Sequence, residues 1–241
     1  MWATMEGMYC LSGTDRPWLR RLDHLICEVP DIEDAFERFV DLGFPVAWPI
    51  GRFWPSGRTA GVALGGINLE FLQSDMGAPE VACIQTLVFE PVELEIAAAR
   101  LGELGVPMRL AEKREGNSEL LRLRGFTDRE AEVEQLICRN AYPEGEIPID
   151  FFLCEYVPPL YKRLGPQMFP ALAPLVEVEI STPNPATDWM QINALFGLPE
   201  AKRGVELVLS EEPGERAEVT AIRSDRGPLD LEGWPSRFQF V

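Results

Sequence analysis

From Asp31 to Gly43 the apolar residues Ile32, Ala35, Phe36, Phe39 and Leu42 recur at the spacing of one buried stripe on a helix. Asp31 suits the N-cap, acidic residues fill the first turn, and Gly43 suits the left-handed position just past the C-terminus. Before this helix, Leu22-Asp23-His24-Leu25-Ile26-Cys27-Glu28-Val29-Pro30 reads as a strand. After it comes strand material at Phe44 to Trp48 and Thr59 to Leu64, then a Gly65-Gly66 hairpin turn into Ile67 to Leu72. The predicted unit is βαβββ.

The pattern then repeats. Cys83 to Glu90 reads as a strand, followed by a helix with Leu94, Ala97, Leu101 and Leu104 on one face and Gly105 at its end. The join Leu104-Gly105-Val106-Pro107 matches Leu42-Gly43-Phe44-Pro45, and strands predicted at Glu119 to Arg124 and Val133 to Arg139 complete the second unit. A shorter third copy starts at Leu175 to Ile180. It has a helix carrying Trp189, Ile192, Leu195 and Phe196, then strands at Val205 to Ser210 and Ala217 to Arg223. The expected organisation is a tail over 1–20, paired βαβββ modules over 21–139, a proline-rich connection with one strand (Phe151 to Tyr156) over 140–174, and a partial βαββ module with a tail over 175–241. The fold class is α+β, with tandem modules forming a curved mixed sheet around a cup.

Strand alternation assigns side chains to the two faces of that sheet. Leu25, Cys27, Val29, Ile67, Leu69 and Phe71 should face the helices. His24, Ile26, Glu28, Asn68, Glu70 and Leu72 should then face the cup, joined there from the second unit by Glu134, Arg122 and Arg124.

Composition narrows the chemistry. His24 is the single histidine, so a mechanism that needs two, such as the iron site of two histidines and one carboxylate, is excluded. A formal net charge of −17 disfavours nucleic acid as a partner and fits either a well-solvated charged surface or a cup that attracts a cationic ligand. No apolar run approaches a bilayer span, and the first residues lack the pattern of a secretory signal. Cys10, Cys27, Cys83, Cys138 and Cys154 are odd in number and form no closely spaced pair, as expected of free thiols in the cytoplasm.

Paired βαβββ modules, with Leu22-Asp23-His24-Leu25 opening the first and Leu69-Glu70-Phe71-Leu72 closing it, resemble the vicinal-oxygen-chelate superfamily. The loop Gly51 to Thr59, the Phe151-Phe152 strand and the partial third module resemble its glyoxalase-like branch. The resemblance implies metal ligands on the first and fourth strands of each module. In this chain those positions carry over as His24, Glu70, Thr86 and Glu134, of which Thr86 is a poor ligand. It thus implies one divalent ion (Zn, Mn or Ni) on His24, Glu70 and Glu134, with Glu70 or Glu134 as the catalytic proton shuttle. Arg52, Trp54, Arg58, Arg122 and Arg124 are the candidate substrate-binding residues.

Two readings follow. One is a metal-assisted isomerase or lyase that works through an enolate of a small oxygen-bearing compound. The other is a metal-free protein that sequesters a small aromatic or cationic molecule. Either would act on a small-molecule partner, as a monomer or homodimer, with neither nucleic acid nor membrane involved.

Overall fold

The computed structural model describes residues 18–54, 56–64, 67–157, 175–184, 188, 206–211, 217–224, 231 and 234–241. The first module runs β1 (Leu19–Glu28), α1 (Ile32–Asp41), β2 (Val46–Trp54), β3 (Gly57–Ala63) and β4 (Asn68–Ser74). Helix α1 forms where the stripe predicted it. The Asp31 carboxylate accepts from the Asp34 backbone N–H at 3.1 Å, and Gly43 closes the helix at φ 81°. Ile32, Ala35 and Phe39 are its buried face. Strand β2 runs on past Trp48 through the segment read as a loop, because β3 pairs with it as far as Trp54 and Gly57.

The second module is β5 (Cys83–Pro91), α2 (Leu94–Glu103), β6 (Met108–Glu115), β7 (Gln135–Pro143) and β8 (Asp150–Tyr156). Here the strand reading needs correction. The residues predicted as a strand at Glu119 to Arg124 form a short helix, α3 (Ser118–Leu123), whose N-cap Asn117 accepts from the N–H groups of Glu119 and Leu120. The missing strand is β6, a charged edge strand in which exposed and half-buried positions alternate from Leu110 to Glu115. The fourth strand is β8, which pairs in parallel with β5.

All eight strands form one mixed sheet in the order β2-β3-β4-β1-β5-β8-β7-β6. The antiparallel β1–β5 pair, with Leu25 opposite Leu87, lies at its centre and relates the two modules. Both helices cover the convex face. There Leu25, Cys27, Ile67, Leu69 and Phe71 join the main core, as alternation predicted. On the concave face Ile26, Val88, Phe152 and Cys154 form a second cluster, roofed by Leu121, Phe126 and Ala131 from α3 and the turn after it.

A second sheet of β9 (Leu175–Thr182), β10 (Glu206–Glu211), β11 (Glu218–Ser224) and β12 (Gln239–Phe240) has the order β10-β9-β11-β12. Its Val178, Ile180, Val219 and Ile222 share the main core. The helix predicted through Trp189, Ile192, Leu195 and Phe196 lies outside the described residues. No helix among the described residues is long and apolar enough to cross a membrane.

Candidate functional site

His24 sits on the concave face of β1, where alternation placed it, and is 5% exposed. The register between β1 and β5 shifts between Leu22 and His24. This irregularity accompanies an unexpected neighbour: the Asp23 carboxylate lies 2.8 Å from His24 Nδ1. On the other side of the ring, Nε2 is 3.2 Å from Glu70 Oε2. Asp23 also takes hydrogen bonds from Arg21 at 2.5 Å and from the Tyr156 hydroxyl at 3.0 Å. Burial alone would push the His24 pKa down. The hydrogen bonds and charges of Asp23 and Glu70 outweigh it and raise the value to about 9. At neutral pH His24 is therefore an imidazolium that donates from both nitrogens, while Asp23 is held below the usual carboxylate range by His24 and Arg21 despite its burial. The Phe152 ring stands edge-on, 6.3 Å from the imidazole.

The donor set implied by the resemblance does not assemble. In β1 and β4 the pairing sets Ile26 beside Glu70, and in β5 and β8 it sets Val88 beside Phe152. The approximate twofold at Leu25 and Leu87 equates Ile26 with Val88 and His24 with Thr86. The counterpart of Glu70 is consequently Phe152. Glu134 instead precedes β7, is 62% exposed, and lies 3.9 Å from Arg114. Neither a phenyl ring nor a threonine replaces a missing ligand, and both imidazole nitrogens are engaged by carboxylates. Among the described residues no group of three or more His, Cys, Asp or Glu side chains could hold a metal ion. These residues do not fit the implied divalent ion.

The candidate substrate-binding residues are dispersed. Arg58 points to the helix side and pairs with Glu33 of α1 and with Gln73. Arg122 lies on α3 rather than on a strand and pairs with Asp128 at 2.6 Å. Arg124, the C-cap of α3, comes close enough to Lys113 to influence its charge. Arg52 pairs with Asp75 at 2.6 Å and lines a cavity described below. Trp54 ends β2, and its side chain lies outside the described residues.

The cup does hold a cavity, of about 380 Å³, where the C-terminal ends of β1 and β4 meet the start of β5 and β8. Ile26, Leu72, Tyr142 and Phe152 give it an apolar floor, and Glu28 and Asp150 bring carboxylates. None of the described residues that line it is Lys, Arg or His. Burial pushes the Glu28 carboxyl up, with a hydrogen bond from Gln85 opposing the shift. Glu28 was legible as cup-facing in the sequence. Asp150 and Tyr142 were not, because the strand predicted at Val133 to Arg139 runs on to Pro143 and the one predicted at Phe151 to Tyr156 begins at Asp150 and joins the same sheet.

No family model matches the chain, and no curated protein matches it. Solved structures do. A hypothetical protein from Staphylococcus aureus superposes with a TM-score of 0.62 at 10% identity, over 92% of this chain and 98% of that one. A mutant of 4-hydroxymandelate synthase from Streptomyces coelicolor gives 0.59 at 15% identity, over 86% of this chain and 71% of that one. Paired βαβββ modules curling into a half-barrel, together with these likenesses, show that the chain has the vicinal-oxygen-chelate fold.

Proposed function

We propose that the protein is a metal-free binder of a small organic cation, an amine with an apolar or aromatic body held in the cup. The observation that carries this reading is the cavity itself: two carboxylates over an apolar floor, with no cationic side chain among its described lining residues. Its volume lies within the range of small-molecule sites, roughly 300–1,000 Å³. Phe152 and Tyr142, with ring centroids 5.1 Å apart, offer a surface for a planar body. An ammonium beside Glu28 would offset the desolvation that raises its pKa. The net charge of −17 would draw such a ligand in. His24 and Glu70, bound to each other, support the floor of the cup and are not free for proton transfer.

The test is a titration by calorimetry with an arylalkylamine and with the alcohol and carboxylate of the same shape. The amine should bind best, and Glu28→Gln should weaken it about tenfold, the loss of roughly 1.4 kcal/mol. Equal binding of the carboxylate would overturn the charge assignment. A second measurement addresses the metal. Protein purified without chelator should hold no stoichiometric Zn, Mn or Ni, and its melting temperature should not respond to these ions. A stoichiometric ion that is lost in His24→Ala would restore the metal-assisted isomerase or lyase reading.

A further inference from the structure

A second cavity, of about 610 Å³, opens where the two edges of the curled sheet approach each other. Arg52 reaches it from edge strand β2, Lys113 and Arg114 from the opposite edge strand β6, and Asn117 and Leu120 from α3. The chain has only three lysines, Lys113, Lys162 and Lys202, so an amine placed at a cavity wall is not a matter of abundance. Glu112 and Glu115 also line the cavity, but both are engaged. Glu112 accepts from Arg114 at 2.9 Å, and Glu115 accepts from the Asn117 backbone N–H at 2.8 Å.

We propose that this cavity captures a small 2-oxo acid, whose carbonyl carbon condenses with Lys113 Nζ while Arg52 and Arg114, at present paired with Asp75 and Glu112, turn to hold its carboxylate. The amine lone pair forms the C–N bond, the carbonyl oxygen takes up protons and leaves as water, and the product is an imine. No oxidant or reductant is required.

Three observations support this beyond the placement of the amine. Burial and the nearby Arg124 lower the pKa of Lys113, against the pull of Cys138, Glu70 and Cys154, so a larger share of the amine is neutral than in an exposed lysine. Asn140, 4% exposed and lining the same cavity, has a buried Oδ1 with no hydrogen-bond partner, an acceptor suited to the N–H of a protonated imine. The Tyr142 hydroxyl, which accepts from Asn140 Nδ2 at 2.8 Å, is kept protonated by burial and can donate to the carbonyl oxygen. Bidentate guanidinium groups recognise the planar carboxylate that a 2-oxo acid presents next to its carbonyl.

The experiment treats the full chain with glyoxylate and cyanoborohydride near neutral pH and follows labelling by peptide mass mapping. Cyanoborohydride delivers hydride to the imine and fixes it as a secondary amine. The expected result is that Lys113 labels several-fold faster than Lys162 or Lys202, because its lowered pKa leaves more of the amine neutral and the guanidinium groups gather the carboxylate beside it. Acetaldehyde, which lacks the carboxylate, should show less preference, and Arg52→Gln with Arg114→Gln should reduce the preference for glyoxylate. Because the comparison is made among lysines of one folded chain, it does not depend on a variant that folds. Labelling of Lys113 no faster than Lys162 and Lys202 would overturn the proposal, as would a preference that is the same for acetaldehyde and glyoxylate. Neither outcome bears on amine binding in the cup.

Discussion

Raising the pH from about 6 to about 9 will lower the stability of the folded protein by on the order of 3 kcal/mol, and His24 will account for most of that change. Its folded pKa of about 9 lies above the ordinary 6.5. The folded state therefore binds the proton more tightly than the unfolded chain. A raised pKa of this sign contributes stability that is fully present below about pH 6.5 and is lost as the pH climbs through about 9. Asp23 acts at the other end of the scale: its pKa is lowered, so its contribution is present above the ordinary carboxylate value and fades as acid protonates it. Cys27, Cys154 and Tyr156, raised by burial, add their own loss in alkaline solution. For that reason the informative quantity is the difference between the natural protein and His24→Gln. Near pH 6 the variant should be less stable by about 3–5 kcal/mol, because Glu70 and Asp23 remain buried without the cation between them. Near pH 9 the gap should narrow. Urea midpoints at the two pH values measure both effects, and a gap that does not change with pH would refute the imidazolium assignment.

The second large effect lies on the opposite face of the sheet. Phe39→Ala should destabilise the protein by about 3–5 kcal/mol. The ring is fully buried and meets Phe44, Phe71, Trp234 and Phe240 with centroids 5.5, 5.1, 5.6 and 5.6 Å away. Trp234 and Phe240 belong to the C-terminal part of the chain, so the cavity left by truncation faces the second sheet as well as α1. Phe39→Leu fills most of the space and should lose less than about 1.5 kcal/mol. Guanidinium unfolding curves distinguish the outcomes. If Phe39→Ala loses no more than Phe39→Leu, the two sheets do not share a close-packed core through this ring.

Helix α1 was legible because stripe, N-cap and terminal glycine agree on the same residues, and local agreement of that kind leaves little for tertiary context to change. The concave address of His24 and Glu70 followed from alternation, since the convex partners Leu25, Cys27, Leu69 and Phe71 are uniformly apolar. The second module was harder. Leu121 and Leu123 alternate over too few residues to tell a strand from a helix, and Asn117, a capping residue, was the overlooked signal. Counting α3 as a strand promoted the third strand to fourth and placed Glu134 in a position that Phe152 occupies. The Phe151-Phe152 pair was visible in the sequence; its membership in the same sheet depends on pairing with a strand more than sixty residues away. Asp23 could not have been found by alternation, because its approach to His24 accompanies a local break in register.

Tyr142 lines both the cup and the edge cavity. One side chain is thus a partition between two chambers, fixed by Phe152 at 5.1 Å, by the Arg109 guanidinium 5.2 Å from its ring centroid and by Asn140 at its hydroxyl. Any molecule that shifts this ring reshapes the neighbouring room. Whatever an occupant of one chamber does to affinity in the other, thermodynamic reciprocity returns by the same factor. Titrating the cup with and without an occupant in the edge cavity would read that coupling through a single aromatic wall.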